Sequence, residues 1–203
     1  MTLTVIIASY KYGHLAGHAI DTVISQSRKA DQILFVDDGI GDCNHLPEIY
    51  PEVKFTMREE NLGTVKNFQD MLEKVTTTHY MILGADNWLR QDALAILTEK
   101  ESDIISYDIA VVGEYAREFG KRVNAPKHHE FYNWSRKDQH HGSMIWNTEK
   151  AKEFGYTKVH NETVKTLEDQ TLYDNMIKAG ARYLHIAEPL LYYRRHRENH
   201  NGV

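Results

Sequence analysis

The stretch Met81-Ile82-Leu83-Gly84-Ala85-Asp86-Asn87-Trp88 restricts the fold more than any other. An apolar run of strand length ends abruptly in small residues, a carboxylate and an amide. Such a run reads as a buried strand that delivers one acid to the carboxyl edge of a sheet, where open α/β sheets bind ligands. An acid fixed there suits a hard cation, while an Asp-Asn turn closing the strand is the plainer alternative.

Two earlier runs repeat the pattern. Leu3-Thr4-Val5-Ile6-Ile7-Ala8-Ser9-Tyr10 is apolar almost throughout, as expected of a parallel strand covered on both faces, and Gly13 breaks it. Leu15, Ala19, Ile20, Val23 and Ile24 then recur at helical spacing. Ile33-Leu34-Phe35-Val36 follows and ends in Asp37-Asp38-Gly39, completing a βαβ unit. Val53 to Met57 predicts a third strand. Val65, Phe68, Leu72 and Val75 mark one face of a helix, and residues 92–100 a shorter helix. Asp103 to Gly113 is strand-like. From Glu114 to His141 the periodicity fades, and aromatic residues mix with basic ones, which predicts a long functional loop or lid. A helix around Lys150 to Phe154, another over Thr166 to Ala179, and two late strands, Tyr183 to Ile186 and Leu190 to Tyr193, complete the series. The expected fold is α/β, a Rossmann-like and mostly parallel sheet flanked by helices, in one domain spanning 1–203.

Composition narrows the function. A net charge of -5 over 203 residues argues against nucleic acid as the main partner. No apolar run approaches the roughly 20 residues that a membrane helix needs, and the N-terminus lacks the features of a signal peptide. With Cys43 the only cysteine, no internal disulfide forms, and a cytoplasmic, reducing location is expected.

The candidate chemistry sits at strand ends. Tyr10 can stack on a nucleobase, and Asp37 and Asp38 can accept hydrogen bonds from a base or a ribose; a simple turn is the competing reading of the acids. Asp86 can hold a cation that bridges a diphosphate, with Arg194, Arg195 and His196 offsetting phosphate charge or adding a ligand, although a solvated tail would look similar. Asp169 lies three residues after a candidate cap, Thr166. The helix dipole would keep it ionised, whether as a cap or as a general base. His140 and His141 lack a second ligand pair at zinc spacing and are assigned to a sugar-binding loop.

Taken in order, Val5 to Tyr10, Ile33 to Gly39, Asn61-Leu62-Gly63 with Asn67, Leu83 to Asn87, Glu168-Asp169 and Tyr193 to His196 resemble the motifs of the family 2 glycosyltransferases, which have the GT-A fold. Within that family the chain is similar to the N-terminal glycosyltransferase domain of a large chlorovirus protein implicated in glycosylating the major capsid protein, which implies a module of a longer protein. The resemblance implies a UDP-sugar donor, a glycan acceptor on a glycoprotein, and Mn2+ or Mg2+. Tyr10 and Asp38 would hold uracil and ribose, with Ala8 and Asp37 beside them. Asp86 matches the last acid of the metal-binding Asp-x-Asp motif, Asp169 the catalytic carboxylate, and His196 a position that approaches the metal or the diphosphate. Gly84 replaces the first acid of that motif, which leaves Asp86 as the one protein carboxylate on the metal. The rival readings are a sugar-nucleotide pyrophosphorylase, for which Ser9-Tyr10-Lys11-Tyr12-Gly13 is a poor match, and a glycan-binding module built on Tyr132 and Trp134.

Overall fold

The computed structural model describes residues 1–113, 115–118, 121–124, 130–132, 142–157 and 168–196. Eight strands lie side by side: β3 (Lys54–Met57), β2 (Gln32–Asp37), β1 (Leu3–Ser9), β4 (His79–Gly84), β10 (Ile145–Asn147), β6 (Ile104–Gly113), β11 (Tyr183–Arg195) and β5 (Trp88–Leu89). β9 (Glu130–Tyr132) adds a ninth, pairing with β6. The first four strands are mutually parallel, β10 runs against them, and β6 and β11 resume the parallel direction. This is the mixed, mostly parallel α/β architecture expected.

Helices cover both faces because the strands are apolar on both. α1 (Gly13–Ile24) and α4 (Ala93–Thr98) cover one face; Ala16, Ile20, Leu94 and Leu97 pack there against Val5, Ile7, Phe35 and Leu83. α3 (Gly63–Glu73), α5 (Thr148–Phe154) and α6 (Glu168–Lys178) cover the other, where Met71, Leu72, Leu172 and Met176 meet Ile6, Val36, Tyr80 and Trp146. Each such side chain contributes about 1.5–3 kcal/mol by leaving water. A short α2 (Leu46–Ile49), absent from the sequence expectation, follows the β2 loop.

Three differences from the expectation have local causes. Gly13 opens α1 rather than merely ending β1: its N–H donates to Asp42 Oδ2 at 2.8 Å, and a Cβ there would lie 2.5 Å from the Asp42 carbonyl oxygen. The two late strands are one, β11, which stays paired with β6 through register shifts on either side of Pro189. The segment expected as a loop contains β9 and an antiparallel pair, β7 (Tyr115–Glu118) with β8 (Lys121–Asn124). His140, His141, Trp134 and the Thr166 cap lie outside the described residues.

Candidate active site

The register aligns the carboxyl ends of the parallel strands. Ser9 pairs with Asp37, and Ala8 with both Val36 and Gly84. The chain therefore leaves the sheet at one edge three times, and the candidate residues follow those exits.

At the β1 and β2 exits the side chains form a cradle. Tyr10 is 37% exposed, and Lys11, at φ +68, turns the backbone through a left-handed conformation that costs a non-glycine residue about 1 kcal/mol. Strain of this kind concentrates at ligand sites. Ile40 and Leu62, each 39% exposed, are two more large apolar side chains left open on the loops that follow β2 and precede α3. Asp37 is fully buried, and its oxygens accept the N–H groups of Ile40 and Gly41 at 3.2 and 2.8 Å. It therefore shapes the loop. Asp38 is also buried; its Oδ1 accepts the Leu62 N–H at 3.1 Å and lies 3.5 Å from Arg58 Nε. Arg58 was missed in the sequence. It joins Asp38 to Asn67 Oδ1 (3.1 Å) and Asp70 Oδ2 (2.6 Å), tying the β2 and β3 exits to α3. Partial burial pushes the Asp70 carboxyl up, but hydrogen bonds from Lys74 and Arg58 outweigh it and hold the group below the usual range.

At the β4 exit the side chain of Asp86 folds back over Gly84. A Cβ on Gly84 would lie 2.6 Å from Asp86 Oδ1 and 2.8 Å from Asn87 Nδ2. Asp86 is buried, and its Oδ2 lies 3.2 Å from His196 Nε2, which comes from the far end of the chain. The end of β11 is stapled here. The Arg194 N–H donates to Asn87 Oδ1 (2.9 Å), and Arg194 Nε donates to the Asp86 carbonyl (2.9 Å). The Arg194 guanidinium lies 4.7 Å over the Trp88 ring, which stacks on Tyr192. The rings of Tyr12 and His196 pack nearly perpendicular, with centroids 5.4 Å apart. Asn87, Trp88 and Tyr12 carried no sequence signal of this role.

A hard divalent ion fits Asp86 and His196. Neighbouring ligands on an octahedral ion with bonds near 2.1 Å stand roughly 3 Å apart, close to the observed separation. Among the described residues the ligand-type atoms of Asp37, Asp42 and Cys43 also gather within 4.8 Å. These are already engaged: Asp37 and Asp42 accept backbone N–H groups. Burial, outweighing the hydrogen bond to Ser9, pushes the Cys43 thiol up to about 12, which makes it a poor ligand.

Asp169 lies in the first turn of α6, and its Oδ1 accepts the Gln170 N–H at 2.8 Å. Its Oδ2 would lie 3.2 Å from a Cβ on Gly142, the residue leading toward β10. Burial, together with the neighbouring charge of Asp169, pushes the Glu168 carboxyl up. The positive end of the helix dipole favours an anion at Asp169.

Tyr10, Asp38, Asp86, Asp169 and His196 therefore all stand along one sheet edge. Within the described residues no helix is long and apolar enough to cross a membrane.

The chain is similar to known proteins in sequence and in fold. Over 121 residues, 56% of this chain, the sequence is 26% identical to "Glycosyltransferase GlyA" of Streptococcus pneumoniae, and the match spans 17% of that protein. S. aureus TarS in complex with UDP-GlcNAc superposes with a TM-score of 0.73 over 98% of this chain and 60% of that one, at 18% identity. The mannosyltransferase PcManGT of Pyrobaculum calidifontis, in complex with GDP-Man and Mn2+, gives 0.68 over 97% and 58%, at 14% identity. This chain thus spans less than two thirds of each of these proteins, and the two superpositions speak to the GT-A fold. The profile described as Glycosyl transferase family 2 matches residues 4–172, more than half of the chain, so this protein belongs to glycosyl transferase family 2.

Proposed function

We propose that the chain transfers a hexose from a UDP-sugar to a hydroxyl of a glycan with the help of Mn2+ or Mg2+. The observation that carries this is the order of groups along the sheet edge. An aromatic and carboxylate cradle at β1 and β2 (Tyr10, Asp38, with Ala8 and Asp37 beside them) leads to the Asp86–His196 pair at β4, and then to Asp169. In this reading uracil and ribose occupy the cradle, and Tyr10, Ile40 and Leu62 are covered when the nucleotide binds. Asp86 and His196 would hold the metal, which offsets charge on the leaving diphosphate. Arg194 adds positive charge beside it. Asp169 takes the proton of the attacking hydroxyl. UDP-glucose and UDP-rhamnose are the donors we favour, and glycosylation of a viral capsid protein in the host cytoplasm is the setting, with the chain as one module of a longer protein.

Support for the donor comes from the UDP-GlcNAc-bound relative, and for the metal from the Mn2+-bound one, alongside the geometry of this chain. Calorimetry with UDP is the test. UDP should bind, and Mn2+ should tighten it by about ten-fold or more. Absence of UDP binding would overturn the reading, and a metal-independent affinity would remove the metal from it. A donor screen read by product mass then identifies the sugar.

A further inference from the structure

The α3/α5/α6 face of the sheet is mostly apolar, and toward the carboxyl edge of β6 and β11 a polar line crosses it. On β6, Ser106 and Asp108 lie on this line, and on β11 His185 lies opposite Ser106 in register. Four side chains form a continuous chain. Tyr183 OH lies 2.5 Å from Ser106 Oγ, Ser106 Oγ lies 2.7 Å from His185 Nδ1, and His185 Nε2 lies 3.1 Å from Asp108 Oδ1. One proton arrangement satisfies every group: Tyr183 donates to Ser106, Ser106 to His185 Nδ1, and His185 Nε2–H to Asp108. His185 thus presents an N–H to Asp108 Oδ1. Asp108 is 9% exposed, and its second oxygen makes no hydrogen bond among the described residues. That oxygen is not among the buried partnerless atoms of the described residues, so it reaches solvent while His185 fixes the carboxylate, and a ligand hydroxyl can meet it.

Register places this oxygen. Ala8 pairs with Gly84, and Met81, Ile145 and Ile105 lie level on β4, β10 and β6. Three residues further toward the carboxyl edge stand Gly84 on β4 and Asp108 on β6, each on the α3/α5/α6 face by strand alternation from Ile82 and Ile104, and there β9, with Tyr132 opposite Ile109, follows β10 as the neighbour of β6. The Tyr107 hydroxyl ties β6 to the turn before β10 by donating to the Ser143 carbonyl at 2.6 Å. Asp86 lies over the bare position of Gly84, and Asp169 over that of Gly142. Asp86 and Asp108 thus belong to the same edge, reached from β4 and β6, the two strands that flank β10.

We propose that Asp108, oriented by His185, binds a hydroxyl of a sugar ring at the transfer centre. Asp108 is a binding residue, and His185, backed by Ser106 and Tyr183, is a positioning residue. The inference rests on the glycosyltransferase reading above. The sugar hydroxyl belongs either to the donor hexose or to the acceptor, and the experiment separates them.

The variants are Asp108→Asn and His185→Gln, each assayed with Mn2+. Calorimetry reads the affinities for UDP and for UDP-glucose, and product mass reads hydrolysis of UDP-glucose and its transfer to methyl glucosides. UDP affinity should stay within about two-fold of wild type. If the donor is held, Asp108→Asn erases the affinity advantage of UDP-glucose over UDP. If the acceptor is held, hydrolysis persists while KM for the methyl glucoside rises about ten-fold or more, as loss of a charged hydrogen bond implies. His185→Gln should raise the same KM with kcat retained, a split that general destabilisation does not produce. Should the variants fold poorly, the His185 ring resonances of the wild type, with UDP and Mn2+ bound, must shift on adding UDP-glucose or methyl glucoside. Affinities and KM all within two-fold of wild type, or unmoved His185 resonances, would overturn the proposal. Failure of the underlying reading would show separately, as wild type that binds no UDP.

Discussion

By the motif resemblance Gly84 takes the place of the first acid of Asp-x-Asp, and the space it leaves is filled by Asp86 Oδ1 and Asn87 Nδ2. Both atoms are ends of flexible side chains, so adding a methyl group should cost the fold little and the site much. Gly84→Ala is expected to leave the Tm nearly unchanged while reducing the Mn2+ enhancement of UDP affinity about ten-fold, because Asp86 is pushed away from His196. Calorimetry with and without the metal checks this; an intact enhancement would mean that Asp86 binds the ion in another rotamer. Asp169 gives a complementary expectation at the same scale. Asp169→Asn keeps the shape and the helix-terminal hydrogen bond but removes the base, so transfer should fall by at least about a hundred-fold, the lower range for general base catalysis, with UDP affinity preserved. Transfer at wild-type rate would assign the base elsewhere.

Between elements, one buried carboxylate joins the starts of β6 and β11 to α5. Asp103 Oδ2 accepts from Lys150 Nζ at 2.7 Å and from the Arg182 N–H at 2.8 Å. Burial pushes its carboxyl up, but these hydrogen bonds outweigh that and the net pKa is lowered. A lowered folded pKa means stability that is present above the unfolded value, near pH ~4, and lost as pH falls through the folded value. Asp103→Asn should therefore cost about 1–2 kcal/mol at pH 7, with the gap from wild type narrowing toward pH 3 in urea unfolding. An equal gap at both pH values would show that the charge plays no part. The sequence was legible where one element explains itself: the apolar runs that end in Asp38 and Asp86 announced both strand and edge, and the helical spacing of Ala19, Ile20 and Val23 announced α1. It was illegible where meaning lies between elements. Arg58 reads as one more surface base until Asp38, Asn67 and Asp70 surround it. Ser106 and Asp108 read as the polar side of an ordinary strand, because His185 and Tyr183 lie 77 or more positions away. Ala187-Glu188-Pro189 reads as a break between two strands because Pro189 supplies no N–H, yet the pairing shifts register and carries on.

For the molecule as a whole, the proposed site closes the fold on itself. Asp86 and His196 are 110 residues apart, and the cradle begins at Ala8, so no local piece of chain contains all the groups that we propose meet the ligand. An unfolded chain should then bind UDP and Mn2+ negligibly, and all the binding free energy should appear as stability of the folded state. At a ligand concentration of 100 times Kd that amounts to about 2.7 kcal/mol. For a domain of this size it corresponds to a Tm increase of roughly 5–10 °C. The increase should need both components. UDP with a chelator should give only the part due to the nucleotide cradle, and Mn2+ alone very little, because Asp86 and His196 supply few ligands without diphosphate oxygens. In His196→Ala the increment added by Mn2+ over UDP alone should vanish while the UDP increment remains. Thermal unfolding of wild type and His196→Ala under the four ligand conditions checks this. A Mn2+ increment that survives the loss of His196 would detach the end of β11 from the metal, and would leave the Arg194–Trp88 staple as a structural closure of the sheet.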